Sequence, residues 1–425
     1  MPNQSYHTII IGGGAAGLMC ATTLLERSDF SGHIAIIDRN PHLWAKVIIS
    51  GWGRCNVTTW YSSIKEILTK YPRGSDFLSP MLKAFTPRSI YRWFEEHGVP
   101  LKIEKDMRVF PVSDDGHDVV GAFEQLFVTH HDRIDILLRT KVESVSQAVC
   151  SDGSCSGRFQ VVTDKQGILT CSNVVIATGG QAYRHTGSTG DGYAFAQDLW
   201  HTITDLWPSL SSFETSDTTL HELSWLAFPT AQIQVCQTWQ WYGGAALLTH
   251  FGISWPLAFI VSAHTPFNQI DYEHPLSLRL RPHADHDYNW RYDRLTQQAH
   301  TQPHKQLSTI LKQEFSDKFI VYFLADGFED RGRTEIASLQ KTQKSTIADL
   351  LGNGISLTII KRRPGDEFVT AGWVDISEVS PSDCQSRICP WLYLAGEILD
   401  IDGYTWWYNL TSSWATGRRV GDKII

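Results

Sequence analysis

Ile9-Ile10-Ile11-Gly12-Gly13-Gly14-Ala15-Ala16-Gly17 opens the chain, and His33-Ile34-Ala35-Ile36-Ile37-Asp38 follows it closely. The pair reads as strand, tight glycine turn, helix, strand and acid, the spacing of a dinucleotide-binding βαβ unit. Gly12 lets the chain turn sharply. Gly14 has no side chain to hold a pyrophosphate off the backbone, and Gly17 lets the helix pack closely on the strand. A helix running from about Gly14 to Glu26 would offer its N-terminal N–H groups, including those of Gly13, Ala15 and Ala16, to phosphate. Asp38 ends the second strand about 20 residues beyond Gly17, where an acid accepts hydrogen bonds from a ribose.

Composition bounds what surrounds this unit. A chain of 425 residues with 42% hydrophobic and 19% charged residues is globular and expected to form two or three domains. No run of 18 apolar residues predicts a membrane span, and the start lacks a basic segment followed by an apolar one. The eight cysteines form no CxxC pair, Cys150 and Cys155 being the nearest, so reduced thiols in a cytoplasm are expected. A net charge of −8 argues against a nucleic-acid partner, and Lys361-Arg362-Arg363 reads as a solvated surface turn. No ligand spacing for a metal and no Ser-His-Asp arrangement is present.

Two later segments point to FAD rather than NAD. Asn173-Val174-Val175-Ile176-Ala177-Thr178-Gly179-Gly180 is a buried strand ending in a glycine turn. Leu392-Tyr393-Leu394-Ala395-Gly396-Glu397 repeats the pattern with an acid at its end. In FAD-binding folds of the glutathione-reductase type such strands return to the nucleotide-binding sheet. The last brings a glycine N–H and a carboxylate to the flavin's phosphate and ribityl chain.

Ser50-Gly51-Trp52-Gly53-Arg54-Cys55-Asn56-Val57-Thr58 resembles the SGGGRCNVTN loop of the BaiN/YhiN-type NAD(P)/FAD-dependent oxidoreductases. The resemblance continues through Arg108-Val109-Phe110-Pro111, Thr186-Gly187-Ser188-Thr189-Gly190-Asp191-Gly192 and Thr249-His250-Phe251-Gly252-Ile253-Ser254. It closes with Val369-Thr370-Ala371-Gly372, Asp402-Gly403-Tyr404-Thr405 and Tyr408-Asn409-Leu410. It implies an α/β fold: a Rossmann-type, glutathione-reductase-like FAD domain from residues 1–193 and 356–425, with an insertion at 194–355. The insertion would be β-barrel-like over 194–265 and helical over 266–355. Strands are expected within 133–147 and 228–262, the latter broken by Gly243-Gly244, and a helix from Gly192 to about Leu199 capped by Thr189 or Asp191.

The same resemblance implies site residues. Arg39, Lys46, Ser50, Gly51 and Gly53 would hold the cofactor, with Arg54 on the pyrophosphate and Asn56 clamping its loop. Val142 would meet the adenine through its backbone. Glu397 would bind ribityl or phosphate-linked hydroxyls, assisted by Asp402 and Gly403. Tyr408-Asn409-Leu410 would start a helix facing the flavin, with Asn409 as its cap. Cys55 reads as a packed small residue and His250 as structural, with Tyr183, Tyr404 and His250 the candidate proton donors. The implied activity is FAD-dependent reduction of a conjugated C=C or C=O in a small, steroid-like molecule, with NAD(P)H docking transiently. Two other readings stand beside it: a flavin-less binding protein and a tRNA-modifying flavoprotein.

One departure is systematic. Nine of the 16 tryptophans fall where the family pattern has glycine: Trp44, Trp52, Trp200, Trp225, Trp255, Trp373, Trp391, Trp406 and Trp407. Three explanations are open: an ordinary divergent homologue, a lost or rebuilt flavin site, or a gene whose UGA codons mean glycine but were read as tryptophan. Trp60, Trp93, Trp239, Trp241 and Trp290 read as ordinary tryptophans, and Trp207 and Trp414 are undecided.

Overall fold

The structure is a computed structural model that describes residues 5–148, 158–324, 332–363, 365 and 367–425. Cys150 and Cys155 lie outside the described residues. The chain divides into two compact units, Met1–Ser209 with Phe368–Ile425, and Leu210–Glu367.

The first unit is built on a seven-stranded sheet. β1 (Ser5–Ile11) is buried along its apolar run and leads through the glycine turn into α1 (Ala15–Glu26). α1 is apolar on every side, and its residues from Ala15 to Leu25 are buried. β2 (Ile34–Ile37) and β3 (Ile134–Leu137) extend the sheet in parallel from one edge of β1. On the other edge lies β6 (Gly167–Ile176), followed by β5 (Phe159–Thr163) and β4 (Val142–Gln147). Besides β1, β6 is long enough to serve two partners on its other edge. Its first half pairs antiparallel with β5, and Val174–Ile176 pair in parallel with β7 (Leu392–Leu394). The second and third acid- or glycine-terminated strands therefore end beside the first, because parallel pairing aligns their C-terminal turns.

The last helix, α2 (Trp406–Lys423), packs on α1. A Cβ at Gly417 would sit 2.2 Å from the Ala16 carbonyl oxygen, so glycine permits this approach.

The second unit contains a closed six-stranded antiparallel barrel. Its staves run in the order Phe213–Thr215, Gly252–Ser254, Gln240–Leu248, Ala227–Val235, Leu276–Arg281 and Ile355–Arg362. Leu276, Leu278 and Leu280 alternate into the barrel core, as a half-buried strand requires. Two staves thus come from segments that the sequence assigned to the helical part and to the FAD domain. The unit begins and ends later than the expected 194 and 355, since Ile355–Arg362 is held by hydrogen bonds to Leu276–Arg281.

Further corrections are local. Gly243 and Gly244 lie inside a strand, opposite Gln232 and Ala231, where the pairing register shifts. The helix Asp191–Asp198 is capped by Gly190, without a side-chain cap bond from Thr189 or Asp191. Lys361 and Arg362 belong to a strand rather than a turn, with Arg362 donating to the carbonyls of Thr265 and Asn268.

Candidate functional site

A cleft opens in the first unit where β1, β2, β6 and β7 end, which is where α/β sheets place ligands. The glycine turn forms its floor, and its glycines have separable roles. Gly12 has φ +106°, and a Cβ there would lie 2.4 Å from the Ala177 carbonyl oxygen. Gly17 would meet the Gly12 carbonyl oxygen at 2.0 Å. Both are demanded by the chain's own packing. Gly14 borders the cleft, and a Cβ built on it meets nothing within 4 Å. Its missing side chain leaves room for something other than protein. Gly13, Ala15 and Ala16 line the cleft beside it, at the positive end of α1.

Acids and bases surround this floor. Asp38 accepts from the amides of Gly13 and Asn40, each at 2.8 Å. Burial pushes its carboxyl up, with those two amides pulling the other way. Each carboxylate oxygen keeps a second lone pair for a ribose hydroxyl. Arg39 at the rim pairs with Asp191 and donates to Thr189. Lys46 reaches Glu397 Oε2 at 2.6 Å, while the buried Glu397 Oε1 has no partner among the described residues. Thr178 Oγ1 is buried and unpartnered in the same way, and both residues line the cleft. Buried oxygens in this state are rare in finished sites and suit a ligand that brings its own hydroxyls.

Ser50, Val142, Ala177, Gly179, Gly396, Asn409 and Leu410 also reach the cleft, as does Tyr183. The open space at Gly14, the two unpartnered oxygens and the Asp38 carboxylate fit an FAD with its pyrophosphate at the α1 N-terminus.

Other expected residues lie elsewhere. Arg54 ion-pairs with Glu104 and Asp114, stacks over Phe110 at 3.9 Å and does not border the cleft. Gly51 packs against Asn56 and Phe110, while Gly53 and the buried Asn56 belong to the same turn outside the lining. Cys55 is fully buried and its thiol is pushed up to about 12 by burial, an inert state. Gly180 packs under the Trp373 indole. Asp402 is wholly buried against Arg73 and Ser209, and burial lifts its carboxyl to about 6. Gly403 abuts Tyr408, and the Tyr404 amide bonds the Lys70 carbonyl. His250 belongs to the second unit, edge-on to Phe251.

Asn409 is not the helix cap. Thr405 holds that position, and Asn409 bonds the Gly403 amide and the carbonyls of Gly403 and Thr405, tying down the loop before α2.

Residues not assigned to the site from sequence also line it, among them Asn40, Trp44, Thr140, Phe195, Ser413 and the segment from Thr186 to Asp191. Ser413 is one turn beyond Asn409 on α2, a spacing that marks one helix face. The Thr186–Asp191 segment carries its signal in the glycine-rich Thr-Gly-Ser-Thr-Gly-Asp pattern ahead of the helix Asp191–Asp198.

Among the described residues no group could hold a metal ion, and no helix is long and apolar enough to cross a membrane. The model of the HI0933-like protein Rossmann domain matches residues 6–423. The chain is 26% identical over 429 residues to the 3-dehydro-bile acid delta(4,6)-reductase of Clostridium scindens, covering 97% of each chain. It is 24% identical over 430 residues to the ribosomal RNA dihydrouridine synthase of Escherichia coli, covering 99% of this chain and 98% of that one. The solved 3-ketosteroid delta1-dehydrogenase from Sterolibacterium denitrificans aligns over 99% of both chains at 11% identity, with a TM-score of 0.49.

Proposed function

This chain belongs to the HI0933-like family and is an FAD-dependent oxidoreductase, and from that premise we propose that it reduces a carbon–carbon double bond conjugated to a carbonyl, with NAD(P)H as donor. The observation that carries the reading is the glycine-floored cleft with space at Gly14 and free acceptor capacity at Glu397. The bile-acid relative, named as a delta(4,6)-reductase, supports the bond type. When bound, the flavin supplies hydride acceptance and donation; the chain positions and polarises.

Gly14 and the α1 N-terminus would receive the pyrophosphate. Asp38 would accept from a ribose hydroxyl, and Glu397, held by Lys46 through Oε2, would have Oε1 free to accept from a second hydroxyl. The first turns of α2 border the cleft at Asn409 and Leu410, and their positive dipole end favours negative charge nearby. Asn409 fixes the loop in front of that turn, so the donors need little reorganisation as charge develops.

The test is direct. Purified protein should be yellow with flavin absorbance, and NADPH or NADH should bleach it without oxygen. Adding a steroid-type conjugated enone should restore the oxidised spectrum. A flavin-loaded protein that no nicotinamide reduces overturns the donor assignment. One that reduces but never passes electrons to an enone overturns the substrate class.

A second reading rests on the Escherichia coli relative's name. Uracil's C5=C6 bond is also conjugated to a carbonyl, so uridine in RNA belongs to the same bond class. Dihydrouridine appearing in RNA incubated with the reduced protein, in place of enone turnover, selects this reading.

A further inference from the structure

Seven tryptophans sit in the left-handed backbone region: Trp44 at φ 63°, Trp52 at 64°, Trp200 at 73°, Trp225 at 71°, Trp239 at 59°, Trp255 at 77° and Trp391 at 71°. A few per cent of non-glycine residues adopt positive φ, with Asn and Asp enriched, so about one among 16 tryptophans would be ordinary. Here tryptophan supplies seven of the fourteen non-glycine residues in that region among the described residues. We infer that these seven positions are glycine in the protein its source makes, and that UGA codons meaning glycine were read as tryptophan.

The local geometry carries this independently of any family pattern. Trp200 follows the helix Asp191–Asp198 and its cap Leu199. Its amide donates to the Gln197 carbonyl and the His201 amide donates to the Ala196 carbonyl, each at 2.9 Å. That is the Schellman arrangement, and Trp200 holds the left-handed position where glycine is usual. Trp255 has φ 77° with ψ −179°, a region essentially restricted to glycine. Trp239 closes the hairpin between Ala227–Val235 and Gln240–Leu248, where positive φ also favours glycine.

Trp44 and Trp391 pack partly buried against the core, Trp391 under Arg158 at 3.8 Å, but four of the seven side chains provide no such compensation. Trp52 is 97% exposed, Trp225 82%, Trp200 79% and Trp239 78%, so the backbone strain is not offset by burying an indole.

A second population behaves as tryptophans do. Trp414 is fully buried and donates its indole N–H to the Val57 carbonyl at 3.1 Å. Trp93 is buried, stacks on His97 and donates to Glu26. Trp60 meets Tyr91 edge-on. None of these three has positive φ.

Backbone conformation therefore separates the tryptophans into two sets. It moves Trp239 into the glycine set, places Trp414 among the genuine ones, and leaves Trp373 and Trp407 without this signature. The side chain of Trp406 lies outside the described residues. One residue type repeated at unrelated turns, in both units, points to one codon with two meanings, since random divergence would bring a mixture of residues. UGA differs from the glycine codon GGA by a single base.

The experiment reads the seven codons in source DNA and the matching peptides, by tandem mass spectrometry, in protein isolated from source cells. UGA at all seven, UGG at Trp93 and Trp414, and peptides with the mass of glycine support the inference. UGG at the seven overturns it, and so does UGA with tryptophan in the native peptides. Neither outcome depends on the substrate or donor of the enzyme.

Discussion

Replacing Trp52, Trp200, Trp225 and Trp239 together by glycine should stabilise the protein, although four large aromatic side chains are removed. An L-residue held in the left-handed region costs roughly 1–2 kcal/mol, which glycine avoids. Glycine's greater freedom in the unfolded chain takes back about 0.5–1 kcal/mol per site. The rings contribute little burial, being 78% to 97% exposed. The net is about 0.5–1 kcal/mol per site, or roughly 2–4 kcal/mol for the four, against a total of about 5–15 kcal/mol for a typical native protein. Trp52 and Trp200 lie in one unit, and Trp225 and Trp239 in the other. Each pair should therefore raise the guanidinium midpoint of its own unit, followed by circular dichroism. Trp93→Gly and Trp414→Gly are the opposing controls. Removing a buried indole should cost at least about 3–5 kcal/mol. A fourfold variant that keeps its far-ultraviolet spectrum but shows unchanged or lower midpoints refutes the strain reasoning.

Gly14→Ala should fold normally and lose at least about tenfold in FAD affinity by fluorescence titration, because its Cβ enters open cleft space. Gly12→Ala should lose roughly 2–5 kcal/mol of stability, since its Cβ meets the Ala177 carbonyl oxygen at positive φ. Equal behaviour of the two would defeat the division of roles. Asp402 has a carboxyl lifted by burial to about 6, so the stability it contributes is present below its ordinary range and lost as pH rises through about 6. Asp402→Asn, which cannot titrate and leaves Arg73 without this carboxylate, should remove the loss of stability that the parent shows as pH rises from ~4 to ~6, read from denaturation midpoints across that range. Cys55, buried with its thiol pushed up to about 12, should escape iodoacetamide at pH ~8 in the native protein, whereas the less buried Cys236 is labelled. Peptide mapping that finds Cys55 alkylated before unfolding would contradict its assigned inertness.

The nucleotide-binding half was legible because its signals are local. Three apolar runs each end in glycine or an acid, and parallel pairing brings their ends together, so β1, β6 and β7 could be placed from short windows. Arg54 could not be placed that way. Its partners, Glu104 and Asp114, are distant in sequence, and no spacing rule says that two carboxylates will claim it before a phosphate does. The barrel itself was legible, but two of its staves, Leu276–Arg281 and Ile355–Arg362, were hidden for a related reason. Ile355–Arg362 pairs with Phe213–Thr215 and Leu276–Arg281, and strand closure over such separations leaves no periodicity in a single segment. Asn409 shows a third kind of limit. A residue type suited to capping was assigned to the helix end, but its side chain instead closes the preceding loop, a choice fixed by the chain's path from Gly403 to Thr405.

The packing of α2 on α1 through Gly417 has a consequence for how the protein is made. The cleft takes its floor from Gly12 to Ala16 and part of its wall from Gly396, Glu397, Asn409 and Ser413, which are synthesised much later. The ribosome therefore exposes an apolar β1–α1 hairpin long before the strand and helix that cover it exist. Leu210–Glu367, a contiguous stretch with its own closed barrel, has all its partners while the first unit is still waiting. Synthesis order and assembly order are thus reversed for half of this molecule, and cofactor capture waits for the segment that carries Gly396 to Ser413.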